Sequence, residues 1–241
     1  TLTAEHKDDG FILSGEKCFV VDGHTADYLI VAARSSGAME SGDGISLFII
    51  DANTCGIKRR RTTFADSRNV ATVEFDGIVI NSDNLIGELH KGWRILEPAL
   101  DRARIYLAAE MLGGATECFD RTISYLKERE QFGVKIGSFQ ALKHRCAKIF
   151  VDLELARSAV LDALSAIDEN RADIAQIASL AKTLINDTYY LVTNEAVQMH
   201  GGIGVTDDLD IGLFLKRSRV AIQLFGDSGF HKDRYASLCG Y

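Results

Sequence analysis

The feature that most limits what this chain can fold into is a change of hydrophobic period close to residue 86. Before it, apolar residues cluster in short runs at 11–13, 19–21, 28–33, 45–50, 70–75 and 78–80, punctuated by Gly, Asp, Asn and Ser. Runs of that length between turn formers read as strands of a compact antiparallel sheet. Asp8-Asp9-Gly10 is a turn signal, and the Gly/Ser-rich stretch 37–44 is placed to close a hairpin. From about Gly92 the step changes to three and four. Leu142, Cys146, Ile149, Phe150, Leu153, Ala156, Val160, Leu161, Leu164 and Ile167 mark one face of a long helix. Ile174, Ile177, Ala181, Leu184, Ile185, Tyr189 and Val192 mark a second, and Ile95, Leu96, Ala99, Ala103, Leu107, Leu112 and Ala115 an earlier one. The sole proline, Pro98, is expected in the first turn of that earlier helix, where a missing N–H is tolerated. The predicted class is α+β with two domains: a small antiparallel β domain over residues 1–86, then an antiparallel helical domain of four-helix-bundle type over 87–241.

Charge and cysteine content narrow the function classes. The 27 basic and 34 acidic side chains leave a net charge of −7, which argues against nucleic acid or an anionic membrane as partner. The one strongly basic run, Lys58-Arg59-Arg60-Arg61, reads as a solvated strand face. Five widely spaced cysteines without C-x-x-C support neither a disulfide scaffold nor a zinc ribbon, and there is no H-E-x-x-H, so no metal site is expected. A reducing compartment is the expectation, the cytoplasm or alternatively the mitochondrial matrix. No apolar run approaches the roughly 20 residues that span a bilayer. The chain opens on Thr1 without a signal-peptide pattern and reads as a fragment or a processed chain.

Two stretches carry chemistry. In Arg129-Glu130-Gln131-Phe132-Gly133, continuing to Gln140, a guanidinium offers a planar fork suited to a pyrophosphate, and the aromatic beside it can pack on a purine. The competing reading is a helix ending at Gly133 with surface charges and an anchoring Phe132. In Gln198-Met199-His200-Gly201-Gly202-Ile203-Gly204, successive glycines let a backbone approach a phosphate, or simply cap a helix. Met199 and His200 read as packing residues.

Together, about sixty residues apart in a helical domain behind a β domain, these motifs resemble the flavin-contacting segments of the acyl-CoA dehydrogenase superfamily. Gly10-Phe11-Ile12-Leu13-Ser14-Gly15-Glu16-Lys17 through Asp22-Gly23 resembles that family's G-x-x-L-x-G-x-K-x-W-I-T-N-G hairpin, and Phe75-Asp76-Gly77-Ile78 also fits. The resemblance covers essentially the whole chain, as most of a middle β domain plus a C-terminal helical domain, with the N-terminal helical domain and the first strands absent. It implies FAD as cofactor, an acyl-CoA substrate and an electron-transfer flavoprotein-type acceptor. It also implies a homo- or hetero-oligomer, at least a dimer, in which a homologous polypeptide can supply the absent half.

By position, Arg129 and Gln131 would bind the pyrophosphate–ADP part, with Phe132 beside it, Gln140 adding a contact, and Gln198, Gly201 and Gly202 meeting the adenosine end across a dimer. The hairpin's Trp and Thr, which face the flavin ring in the family, are Phe19 and Val21 here, so a wall survives and a hydroxyl is lost. Family members use a glutamate as general base at one of two positions, held here by Gly226 and Ala103. Asp227, one residue late, is the remaining candidate base; its competing reading is the cap of the last helix. Arg104 matches an arginine facing the substrate end, and a helix-surface ion pair with Asp101 would explain it equally well. Lys58 to Arg61 offer charges to CoA phosphates; the competing reading is the solvated strand face. The implied activity is introduction of an α,β double bond into an acyl-CoA; the alternative is a non-catalytic, cofactor-holding subunit of a hetero-oligomer.

Overall fold

The computed structural model describes residues 2–39 and 41–241. They form two compact units, Thr1–Ala99 and Leu100–Tyr241. In the first, β1 (Thr3–Lys7), β2 (Gly10–Val21), β3 (Tyr28–Arg34), β4 (Ile45–Asp51), β5 (Ile57–Thr63), β6 (Asn69–Asn81) and β7 (Leu85–Ile86) make one sheet in the order β5-β6-β2-β1-β3-β4-β7. Every pairing is antiparallel except β1 with β3, which run parallel and meet at Thr3 and Arg34. Stretch 37–44 does lie within the β3–β4 connection of an antiparallel pair. The Asp8-Asp9 turn joins β1 to β2, pairing Lys7 with Gly10. Two expected runs, 70–75 and 78–80, are one strand, because Gly77 takes a left-handed φ of 61° inside β6 without ending the pairing with β2. The inward faces of the strands bury Leu13, Phe48, Ile50, Val73, Phe75 and Ile78, as alternation requires.

The second unit is helical. α1 (Trp93–Glu128) leads into a short hairpin, β8 (Glu130–Gln131) and β9 (Val134–Lys135), then α2 (Gln140–Asp168), α3 (Ile174–His200), α4 (Ile211–Gln223) and α5 (Ser228–Leu238). Ile105, Met111, Leu153, Val160, Ile185 and Tyr189 are buried at the contact of the three long helices. Small residues set how closely these helices approach. Ala115, Ala156, Ala163, Ala178 and Ala181 are fully buried, and a Cβ on Gly114 would stand 2.7 Å from the Tyr189 hydroxyl. Pro98 is not in the first turn. The helix is nucleated early, by Ile95 and Leu96 N–H groups donating to Gly92 O at 3.1 and 3.0 Å, which puts Pro98 in the second turn and leaves Arg94 O without its helical donor.

Candidate functional site

The Arg129 segment is a hairpin, and the expectation of a helix running to Gly133 is corrected: α1 stops at Glu128. The Arg129 N–H donates to Tyr125 O at 2.8 Å, while its carbonyl accepts from Ile136 N–H at 2.9 Å, so the chain folds back on itself. Phe132 and Gly133 form the two-residue tip, both left-handed at φ 56° and 78°, as the tightest hairpin turns demand. That backbone costs a bulky residue about 1–2 kcal/mol. Even so, the Phe132 side chain is 91% exposed, edge-on to Phe139 at 6.2 Å. Lys135 clamps the hairpin base: its Nζ donates to Glu128 O at 3.0 Å and pairs with Glu130 at 2.7 Å, holding the Glu130 carboxyl below the usual range. Gln131 donates its amide to Glu130 O at 2.7 Å. Among the described residues the Arg129 guanidinium makes no ion pair or hydrogen bond. Gln140 stands exposed in the first turn of α2, a turn without acidic side chains.

The glycine segment follows α3. Gly201, at φ 67° and ψ −146°, ends the helix in a conformation open only to glycine, its N–H donating to Gln198 O and Val197 O. At both Gly201 and Gly202 nothing beyond the chain neighbours lies within 4 Å of where a Cβ would stand, so the missing side chains leave open space rather than relieving a clash. Gln198 is exposed. Met199 and His200 are packed, as read from sequence: Met199 Sδ lies 3.9 Å from Cys146 Sγ, and His200 donates Nδ1–H to Ala196 O at 2.7 Å. The His200 ring stacks on Tyr125 at 4.3 Å, and the Tyr125 hydroxyl donates to His200 O at 3.4 Å. Tyr125 therefore joins the two motifs, since its own carbonyl receives the Arg129 N–H. An uncommitted guanidinium, an exposed aromatic plate and the open space at Gly202 are features that suit a nucleotide diphosphate. Among the described residues no group of three or more His, Cys, Asp or Glu could hold a metal ion, and no helix is long and apolar enough to cross a membrane.

A second cluster surrounds the α4–α5 turn, where Phe225 (φ 58°) and Gly226 (φ 114°) are both left-handed. A Cβ on Gly226 would stand 2.8 Å from His231 Nε2 and closer still to the Phe230 ring. Asp227 caps α5: its Oδ1 accepts from Phe230 N–H at 2.8 Å, and the residue is exposed. Phe225 O accepts from Arg104 Nε at 3.2 Å and from His231 Nε2–H at 3.1 Å, which leaves His231 Nδ1 to accept from the Ser179 hydroxyl. Burial, and then the positive charge of Lys182 and Arg104, pushes His231 down to about 4, so it is neutral. Gly226 O accepts from Lys182 Nζ at 3.2 Å, and the same ammonium donates to Asn186 Oδ1 at 2.6 Å and to Ala221 O at 3.1 Å. Burial lowers Lys182 to about 7, with the Asp227 charge opposing that shift.

The expected surface pair of Arg104 with Asp101 is present at 2.7 Å but buried, because Arg234 also holds Asp101, at 2.9 Å, and the three side chains are enclosed between helices. Lys182, Asn186 and His231 were not legible as site residues. The available signal was Lys182 and Asn186 at i and i+4 on the apolar stripe of α3, where charge has no place without partners. About 20 Å of helix separates Asn186 from His200, so the turn and the nucleotide-type site lie towards opposite ends of α3.

In the sheet unit, Phe19 is not an ordinary strand residue. It sits at φ 56° in a bulge where the β2–β6 register shifts between Lys17 and Val20, 62% exposed and stacked on Phe64 at 5.6 Å. Val21 pairs with Val70 and is also exposed. Lys58 is solvated and pairs with Glu74 and Asp76, whereas Arg59 turns in to donate to Ala26 O at 2.9 Å.

Comparison with known proteins places both units. Residues 1–78 match the model of the acyl-CoA dehydrogenase middle domain, and residues 90–237 match that of the acyl-CoA dehydrogenase C-terminal domain. The chain belongs to the acyl-CoA dehydrogenase family. It is 29% identical over 237 residues to the short/branched chain specific acyl-CoA dehydrogenase of Bos taurus, covering 97% of this chain and 54% of that protein. It is 43% identical over 126 residues to the acyl-CoA dehydrogenase IpdE2 of Mycolicibacterium smegmatis, covering 52% of this chain and 39% of that protein. The solved glutaryl-coenzyme A dehydrogenase in complex with glutaryl-CoA superposes with a TM-score of 0.92 at 27% identity, over 100% of this chain and 62% of that one. The chain thus spans about half the length of the curated relatives it matches. At the two positions for which the family resemblance implies a glutamate base the chain carries Gly226 and Ala103, and Asp227 is engaged as a cap.

Proposed function

We propose that this chain is part of an FAD-dependent acyl-CoA dehydrogenase that introduces an α,β double bond into an acyl-CoA thioester and passes electrons to a flavoprotein acceptor. The observation that carries the reading is the meeting of the Arg129 hairpin and the Gly201-Gly202 segment through Tyr125 and His200. Arg129 would hold the pyrophosphate through its fork, with Gly202 leaving room for close approach, Phe132 offering a face to the adenine, and Gln131, Gln140 and Gln198 offering amides. Within the sheet unit, Phe19 and Val21 would offer an apolar wall to a flat ring system. Bound FAD would supply a hydride acceptor, and a carboxylate would take the α-proton. Arg104 acts on the substrate end by fixing the Phe225 carbonyl, since its Nε and Nη1 are already engaged. The exposed aromatic tip at Phe132 supports assembly with a second subunit, homologous or identical.

A second reading, a cofactor-holding subunit whose partner supplies the base, is favoured by one observation: Gly226 has no room for a side chain, so a carboxylate cannot be seated at that position. The absorbance spectrum of the full-length protein, alone and with homologous subunits, tests flavin binding. Arg129→Ala should weaken FAD retention by about 1.5–3 kcal/mol, and Arg129→Lys should restore only part. Equal retention in both variants sinks the cofactor role of Arg129. Loss of substrate-driven flavin bleaching in Asp227→Asn, with FAD still bound, supports the first reading; unchanged bleaching supports the second.

A further inference from the structure

A cavity of about 470 Å³ opens in the helical unit between the C-terminal half of α1 and the segment that links α3 to α4. Its lining carries five carboxylates, Glu117, Asp120, Glu128, Asp208 and Asp210, against one cation, Arg121. Arg121 is already committed: its Nε donates to Glu117 at 2.8 Å, its Nη1 to Asp210 at 3.0 Å, and its guanidinium lies over the Phe214 ring. Asp120 and Glu128 are exposed and their carboxylates have no partner among the described residues. The Asp208 carboxylate receives only the Thr206 hydroxyl, at 3.4 Å. None of the residues given a cofactor role above lines this cavity, and its charge repels a diphosphate. A second observation is independent of that charge. His200 also lines the cavity, is only 6% exposed and stacks on Tyr125. Ala196 O can only accept, so His200 Nδ1 carries the proton and Nε2 is left as a lone-pair acceptor. No described residue donates to Nε2. The atom is not sealed in either, since among the described residues the one buried side-chain N or O without a partner is Asn69 Oδ1. A donor for His200 therefore has to come from the cavity.

The shape of the charge decides the ligand. The free carboxylates are strung out rather than gathered: Asp120 and Glu128 stand about 12 Å apart along α1. Among the described residues no three acids or histidines close around one metal ion. Tyr125, which lies between Asp120 and Glu128 on the helix, and Leu209 add apolar surface. Separated negative charges, a buried acceptor and apolar surface match a flexible chain of methylenes with an ammonium at each end and an N–H between. We propose that this cavity binds a linear aliphatic polyamine of about the length of spermidine. Its end ammonium groups pair with Asp120 and Glu128, its central nitrogen donates to His200 Nε2, and its methylenes lie on Tyr125 and Leu209. This site goes beyond the proposed function and does not depend on flavin.

The test is calorimetric titration of the full chain with spermidine at about 0.15 M salt, where diffuse attraction is screened. Spermidine should bind saturably, one per chain, and should move the nitrogen-15 resonance of His200 Nε2. Asp120→Asn combined with Glu128→Gln, two exposed positions, should weaken binding by about tenfold. Putrescine, too short to reach both carboxylates, should also bind about tenfold more weakly. No saturable binding, an unmoved His200 resonance, or equal affinity in the double variant would overturn the assignment. Equal binding of putrescine and spermidine, or displacement by Mg²⁺ at matched charge, would overturn it in favour of an unspecific acidic surface. Binding that appears only after dilution separates the subunits would overturn it in favour of a basic side chain from a neighbouring subunit.

Discussion

Replacing Gly226 with alanine isolates the physical reason that the α4–α5 turn carries no side chain there. Two effects add. The residue sits at φ 114°, which for a non-glycine residue costs about 1–3 kcal/mol. Its Cβ would also fall 2.8 Å from His231 Nε2 and against the Phe230 ring, an overpacking of about 1–3 kcal/mol. Gly226→Ala should therefore destabilise the helical unit by about 2–6 kcal/mol. In a Phe230→Ala background the ring overlap disappears, and the same substitution should cost about 1–3 kcal/mol, mostly backbone strain. Urea unfolding followed by far-ultraviolet circular dichroism measures both, with the midpoint shifting at constant slope. A Gly226→Ala chain within about 0.5 kcal/mol of the parent, or an equal loss in both backgrounds, would refute the steric argument. The same reasoning bears on activity, since a glutamate installed at 226 cannot be seated until Phe230 is cut back.

Other outcomes follow from the same cluster. His231 holds its proton off to about 4, while in the unfolded chain it protonates near 6.5, so the unfolded state carries more protons in that window and stability rises with pH across it. The rise should exceed that of His231→Gln by about 3 kcal/mol in chemical denaturation at pH 4 and pH 7, and equal slopes would contradict it. Lys182, lowered to about 7, gives the same sign between pH 7 and 10.5, and Lys182→Met should flatten the stability profile there. Asp227→Ala should lose about 1 kcal/mol of stability with the α5 cap while Asp227→Asn keeps most of it, a contrast that thermal unfolding reads directly.

The long periodic segments were readable because helix and strand formation there follows burial of one face. The stripes from Leu142 and Ile174 became α2 and α3, and stretch 37–44 lies between paired strands. The Arg129 hairpin was not readable, because its tip places a phenylalanine in a left-handed conformation that local preference disfavours, and the Lys135 clamp, the Ile136 backbone bond and the β8–β9 pairing hold it. Pro98 was misplaced for a similar reason: a helix start fixed by Gly92 leaves little trace in hydrophobic period. The chemistry of the turn was hidden because Lys182, Asn186 and His231 come from α3 and α5, brought together only by packing.

The bonds that fix the α4–α5 turn end on main-chain oxygens. Arg104 and His231 grip the carbonyl of residue 225, and Lys182 and Asn186 that of residue 226. None of them recognises a side chain at those two positions. The path of the chain at position 225 is thereby uncoupled from its exposed side chain, while position 226 stays glycine for want of room. Selection on the anchors would be invisible in the loop itself. A reader aligning this stretch by letters alone would call it divergent, and would overlook that the fixed elements stand some forty and more than a hundred residues earlier, at Lys182, Asn186 and Arg104.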